Sequence, residues 1–182
     1  MRAVVVYESM YGNTHEIASA IAAGLESAGA VDLLPVASAP SDGVPEVDLL
    51  VVGGPTHVHG MSRPASRAAA VETAEKDAAV DLDADAPGPG LREWIAALPK
   101  VEGVLAAAFD TRIDKALFIT GSAARSIAKH LRHHHFELLT EPASFLVEDS
   151  DGPLKAGEVE RARAWGAELA RRWSDQHASS GR

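Results

Sequence analysis

The stretch Ser9-Met10-Tyr11-Gly12-Asn13-Thr14 sets short hydroxyl and amide side chains around one glycine, with no lysine or arginine among them. It follows the apolar run Ala3–Tyr7 and precedes a helical pattern that begins near Thr14. A strand-to-helix junction of this kind offers the unpaired N–H groups of a helix N-terminus, which carry partial positive charge and bind anions. Gly12 lets the backbone approach a ligand closely. These residue types suit a phosphate held by neutral donors. Two common phosphate loops do not fit. The lysine of a Walker loop is absent, and a dinucleotide-binding loop needs three glycines where one stands.

A second stretch, Gly53-Gly54-Pro55-Thr56-His57-Val58-His59-Gly60, directly follows the apolar run Asp48–Gly53. Pro55 fixes the chain as it leaves the strand, and Gly60 permits an unusual backbone. His57 and His59 are candidates for pocket contact, and a histidine there could tune proton uptake near neutral pH. A third stretch, Ala108-Phe109-Asp110-Thr111-Arg112, closes the run Val104–Phe109.

These segments must be positioned by the elements around them. Apolar, β-branched-rich runs of about five residues alternate with helical patterns, which predicts a parallel sheet with crossover helices. The runs are Ala3–Tyr7, Val31–Val36, Asp48–Gly53, Val104–Phe109 and a last region in two pieces, Phe136–Leu139 and Ala143–Val147, interrupted at Pro142. Residues 116–120 could be a further short strand or an extension of the sheet. Helices are expected over Thr14–Ser27, Arg63–Glu75, Leu91–Leu98, Ser122–His133 and Lys155–Trp173. The acidic stretch Asp77–Pro89 reads as a surface loop. Five strands wound with helices form a doubly wound α/β sheet, whose ligands bind at the carboxyl ends of the strands, at the topological switch point.

Composition narrows the chemistry. The chain has 182 residues and no cysteine, which excludes disulfides, thiolate catalysis and Cys-ligated metal. Redox work must then come from a bound cofactor. The formal net charge of −9 argues against nucleic acid. No apolar run approaches the roughly 20 residues of a membrane span, and the N-terminal run lacks the features of a signal peptide, so a cytoplasmic location is expected. The run His133–His135 with His130 sits at a helix end, where basic residues suit the dipole. Neither it nor the acidic run Asp81–Asp85 is assigned a metal. Glu8 and Glu16 flank the phosphate site and are expected to point outward.

The string S-M-Y-G-N-T resembles the [ST]-x-[TS]-G-x-T phosphate loop of the flavodoxin family, with Tyr11 in place of a small hydroxyl residue. The G-x-P-T stretch after the third run resembles the family's loop against the flavin ring. The order and register of the two loops match the family over about residues 2–173. The resemblance implies FMN as cofactor and a sheet of order 2-1-3-4-5 within one flavodoxin-like domain over residues 1–174; the polar residues 175–182 read on their own composition as a disordered tail. It implies that Ser9, Met10, Tyr11, Gly12, Asn13 and Thr14 hold the phosphate. Pro55, Thr56, His57, Val58, His59 and Gly60 would form one wall of the ring pocket, and Phe109, Asp110, Thr111 and Arg112 another. Arg112, a cation beside the pyrimidine end of the ring, would favour two-electron chemistry. Flavodoxins that carry single electrons usually stack the ring between Trp and Tyr. Here none of the three tryptophans falls in a ring loop. Three functions follow as expectations: an electron carrier between partner proteins, whose acidic surface serves docking; an NAD(P)H:quinone-type oxidoreductase; or a module that keeps the fold without flavin.

Overall fold

The computed structural model describes residues 1–40, 46–57, 60–76, 82–83, 86 and 88–180. Five parallel strand positions run in the order β2-β1-β3-β4-β5. They are β1 (Arg2–Tyr7), β2 (Ala30–Pro35), β3 (Leu49–Pro55), β4 (Leu105–Ile113) and an edge strand in two pieces, β5 (Glu137–Leu138) and β6 (Ala143–Val147). Both pieces pair with β4, β5 at Leu105–Ala106 and β6 at Phe109–Ile113. This is the doubly wound sheet expected from the sequence, broken where Pro142 predicts it.

Period-two alternation builds the two cores. Val5, Val51 and Ala107 face one side, where Ile17, Ile21 and Leu25 of α1 (Asn13–Leu25) meet Ala162 and Leu169 of α6 (Glu158–Ser180). Val4, Val6, Leu50 and Val52 face the other. There they meet Trp94 and Ile95 of α3 (Leu91–Ala97) and Ile127 and Leu131 of α5 (Ala123–His133). Each fully buried Ile or Leu stabilises the fold by roughly 1.5–3 kcal/mol. The helices α1 and α6 approach at glycines. A Cβ on Gly24 would lie 2.2 Å from the Arg163 carbonyl, and one on Gly166 2.3 Å from that of Ile21.

Three expectations are corrected. β4 continues four residues past Phe109 to Ile113 because β6 supplies it with a partner ladder. Residues 116–120 add no strand: Leu117–Thr120 forms a single helical turn, α4. α6 runs past Trp173 to Ser180, so residues given to the tail are helical and Arg171 and Arg172 stand inside the helix. α2 (Pro64–Lys76) and the cap of α5 lie where expected, with the Ser122 hydroxyl accepting from Arg125 N–H. Most of the acidic stretch 77–89 lies outside the described residues. The outer rim of β6 is closed by the start of α6. Leu146 N–H donates to Glu158 Oε2 at 2.7 Å, the Leu146 carbonyl accepts from Lys155 N–H, and the Ser144 carbonyl accepts from Arg161 Nη2.

Candidate functional site

β1 ends at Tyr7, and the loop to α1 turns at Gly12, whose φ of 82° is left-handed and favours glycine. The Ser9 hydroxyl, buried, accepts from Gly12 N–H at 3.2 Å and shapes the loop from within. Glu16 N–H makes the first helical bond, to the Gly12 carbonyl. The amides of Asn13, Thr14 and His15 precede it and belong to the open end of the helix. Asn13 Nδ2 donates to the Asp151 carbonyl, and the Thr14 and Thr111 hydroxyls meet at 2.7 Å.

A cavity of about 320 Å³ lies beside this loop, at the carboxyl ends of β1, β3 and β4. Met10, Tyr11, Asn13 and Thr14 line it from the first loop, and Pro55, Thr56 and His57 from the exit of β3. Thr111, Arg112 and Ile113 line it from β4. The volume falls within the roughly 300–1,000 Å³ of small-molecule sites. Burial raises the Tyr11 phenol above its ordinary range, helped by Asp151.

Two polar atoms on its walls are buried without a partner: His57 Nε2 and Arg112 Nε. Burial lowers the His57 imidazole below its ordinary value, while nearby Glu8 pushes it back up. His57 and Gly60 exchange reciprocal backbone bonds of 2.8 and 3.0 Å. Val58 and His59 lie outside the described residues. Arg112 Nη1 donates to the carbonyls of Ile113 and Lys115.

Two predicted wall residues do not face the cavity, for a reason of register. The third segment is strand rather than loop, so its side chains alternate. Phe109 is fully buried against Phe145 and Trp165, and its ring covers Gly53, where a Cβ would meet it at 2.1 Å. Asp110 turns to the opposite face. Its Oδ2 accepts from the Thr56 hydroxyl, the Ser122 hydroxyl and Ala124 N–H at 3.0, 2.7 and 2.9 Å. It thus ties the exit of β3 to the start of α5. Ser9, Gly12 and Gly60 shape the backbone and do not line the cavity. Glu16 is exposed as expected, but Glu8 is buried, its Oε2 accepting from Leu91 N–H at 2.8 Å.

Sequence reasoning missed the far wall. Ser66, Ala69 and Ala70 of α2 line the cavity, with Val147 at the end of β6 and Ser150 beyond it. Small side chains on an alanine-rich helix carry no chemical signal, so only the packing reveals them.

Comparison with known proteins adds the lineage. The Flavodoxin family model matches residues 5–111, over half the chain. The chain belongs to the flavodoxin family. No curated protein matches its sequence. Solved structures share the fold. A flavodoxin from the domain Archaea is 21% identical with a TM-score of 0.64, over 96% of this chain and 99% of its own. The Streptococcus pneumoniae TIGR4 flavodoxin is 18% identical with a TM-score of 0.64, over 94% and 99%. A WrbA-like flavodoxin from Agrobacterium tumefaciens is 19% identical with a TM-score of 0.58, over 96% and 98%.

FMN is the cofactor of the flavodoxin family, and this member's cavity fits it. The helix N-terminus and left-handed glycine at the first loop suit a phosphate. The unpartnered His57 Nε2 and Arg112 Nε are suited to a polar ring edge. Among the described residues, Tyr11 and His57 are the aromatic side chains that line the cavity, and α2 sets alanines opposite them.

Proposed function

We propose that this flavodoxin-family protein is an FMN-dependent electron carrier acting between partner proteins. The cavity beside the α1 N-terminus carries the FMN part of the reading: about 320 Å³, bounded on one side by α2, is the size of a small-molecule site. Membership of the flavodoxin family supports the carrier part. The cofactor supplies the redox chemistry when bound. The chain's own residues supply placement. The amides of residues 13–15 would hold the phosphate, assisted by the loop shape that Ser9 and Gly12 impose. Arg112 Nε and His57 Nε2 would meet the ring's polar edge. Asp110 acts at a distance, holding Thr56 against α5 so that the β3 exit keeps its position.

The test is a thermal melt with and without FMN, alongside the visible spectrum. Ligand at about 100 times its dissociation constant adds roughly 2.7 kcal/mol of stability. A clear upward shift with flavin bands supports the reading, and no shift with no colour overturns it. NAD(P)H with a quinone, and no added reductase, separates carrier from enzyme: slow bleaching supports the carrier, and rapid turnover makes the protein an oxidoreductase.

A further inference from the structure

Among the described residues the exposed large apolar side chains are consecutive. Leu117, Phe118 and Ile119 are 38%, 85% and 53% exposed, all in the single turn of α4. Both ends of this lip are fastened to the cavity's walls. At its start Arg112 Nη1 holds the Lys115 carbonyl at 2.7 Å, and Asp114 N–H donates to the Val147 carbonyl. At its end Ala123 N–H donates to the Thr56 hydroxyl at 2.9 Å. Arg112, Val147 and Thr56 all line the cavity.

The lip's charge is the reverse of the molecule's. From Thr111 to Phe136 the chain carries Arg112, Lys115, Arg125, Lys129 and Arg132 against one acid, Asp114, in a protein of net charge −9. Asp114 is paired with Lys155. Lys115, Arg125 and Lys129 are exposed and make no ion pair among the described residues. A cleft of about 370 Å³ runs beside Leu117, lined also by Arg125 and Lys129.

We infer that this lip is a docking surface for an acidic redox partner protein, with Phe118 as the apolar anchor and Lys115, Arg125 and Lys129 as the charged rim. An exposed aromatic centre with a polar rim is the anatomy of a protein interface, and complementary charge sets encounter and orientation. The inference rests on the electron-transfer reading and reverses one expectation from composition: the docking face is basic, although the protein is acidic. A bilayer fits less well, because three apolar side chains in one turn bury little. A second copy docked through the same lip would set its basic rim against an identical basic rim.

The probe is reduced plant-type ferredoxin, an acidic one-electron donor. Each encounter moves one electron from its iron–sulfur cluster to the FMN of the loaded protein. Two encounters, with proton uptake from solvent, complete the reduction, which stopped flow follows at the flavin band. Anisotropy of labelled ferredoxin reads binding without needing flavin. The wild-type rate should fall as salt rises. The double variant Lys115→Glu/Arg125→Glu should lose at least tenfold in low-salt rate and in affinity. Phe118→Ser should lose severalfold with the salt dependence retained. FMN affinity and visible spectrum should stay unchanged in both variants. Variants equal to wild type in both rate and binding would overturn the inference. So would a faster charge-reversed variant, a dimer in sedimentation that Phe118→Ser abolishes, or lip-dependent binding to phosphatidylglycerol vesicles. Ferredoxin binding through the lip without flavin uptake supports docking and sinks the electron-transfer reading. Flavin uptake without ferredoxin binding overturns docking alone.

Discussion

Arg112 keeps one guanidinium nitrogen, Nε, buried and unpartnered while Nη1 donates to two carbonyls at the end of β4. A charged donor left in this state on a cavity wall calls for an acceptor from the ligand. Hydrogen bonds to charged groups contribute about 1.5–3 kcal/mol. Arg112→Ala should therefore weaken FMN binding by roughly 10–100-fold, as read by quenching of flavin fluorescence. If the cation sits at the pyrimidine end of the ring, its removal also moves the flavin potential to more negative values. An unchanged affinity and potential would show that Arg112 serves only to order residues 113–115. Glu8 illustrates the opposite situation. A carboxylate beside an anion site is costly, and sequence reasoning turned it outward. The structure instead buries it beneath α3, where Leu91 N–H, 83 residues away, receives it. No local pattern encodes a partner at that distance.

Among the elements, the crossing of α1 and α6 gives the sharpest test. Alanine is preferred over glycine in a helix interior by about 1 kcal/mol, so propensity alone predicts that Gly166→Ala stabilises. The contact predicts the reverse, because the new methyl would stand 2.3 Å from the Ile21 carbonyl and the helices must part. Overpacking of this kind costs about 1–3 kcal/mol. A net loss of up to about 2 kcal/mol should lower the melting temperature by up to roughly 8 °C, and a rise would mean that the helices separate freely. At this scale the sequence was informative wherever the cue was local. The glycine of the first loop, the proline leaving β3, the serine capping α5 and the break near Pro142 each mark their own position. It was misleading where a neighbour decides. Phe109 and Asp110 read as loop residues at a strand end, but β6 extends that strand and sends one side chain to the core and the other to a helix cap. Leu117–Ile119 carries a strand-like apolar composition, yet no strand is available for it to pair with, and it coils into a turn.

For the molecule as a whole, stability should fall with acid in two stages. The folded state holds His57 below the ordinary histidine value of 6.5 by burial, against the pull of Glu8. It lowers His130 by burial and by neighbouring cations, Arg92 first. Below about pH 6.5 the unfolded chain takes up protons that these two resist, so stability declines as pH drops through their folded values. Glu158 behaves as a carboxylate. Burial raises it, but Arg161 and the Leu146 amide outweigh burial and leave it below 4.5. Its contribution is present above that pH and lost as the solution becomes more acid. Urea midpoints measured from pH 8 to pH 4 should show a plateau and then a shallow decline, which His57→Gln reduces, followed by a steeper one. A curve that stays flat down to pH 5 in the wild type would contradict the histidine assignment. Glu158 has one more effect. With Lys155 and Arg161 it occupies the outward N–H and C=O of Leu146 and the C=O of Ser144, groups that a foreign strand would need in order to join the sheet. An unprotected sheet edge is a template for chain-to-chain stacking. The start of one helix therefore serves as a stopper, and growth of the sheet into a fibril is blocked at that rim.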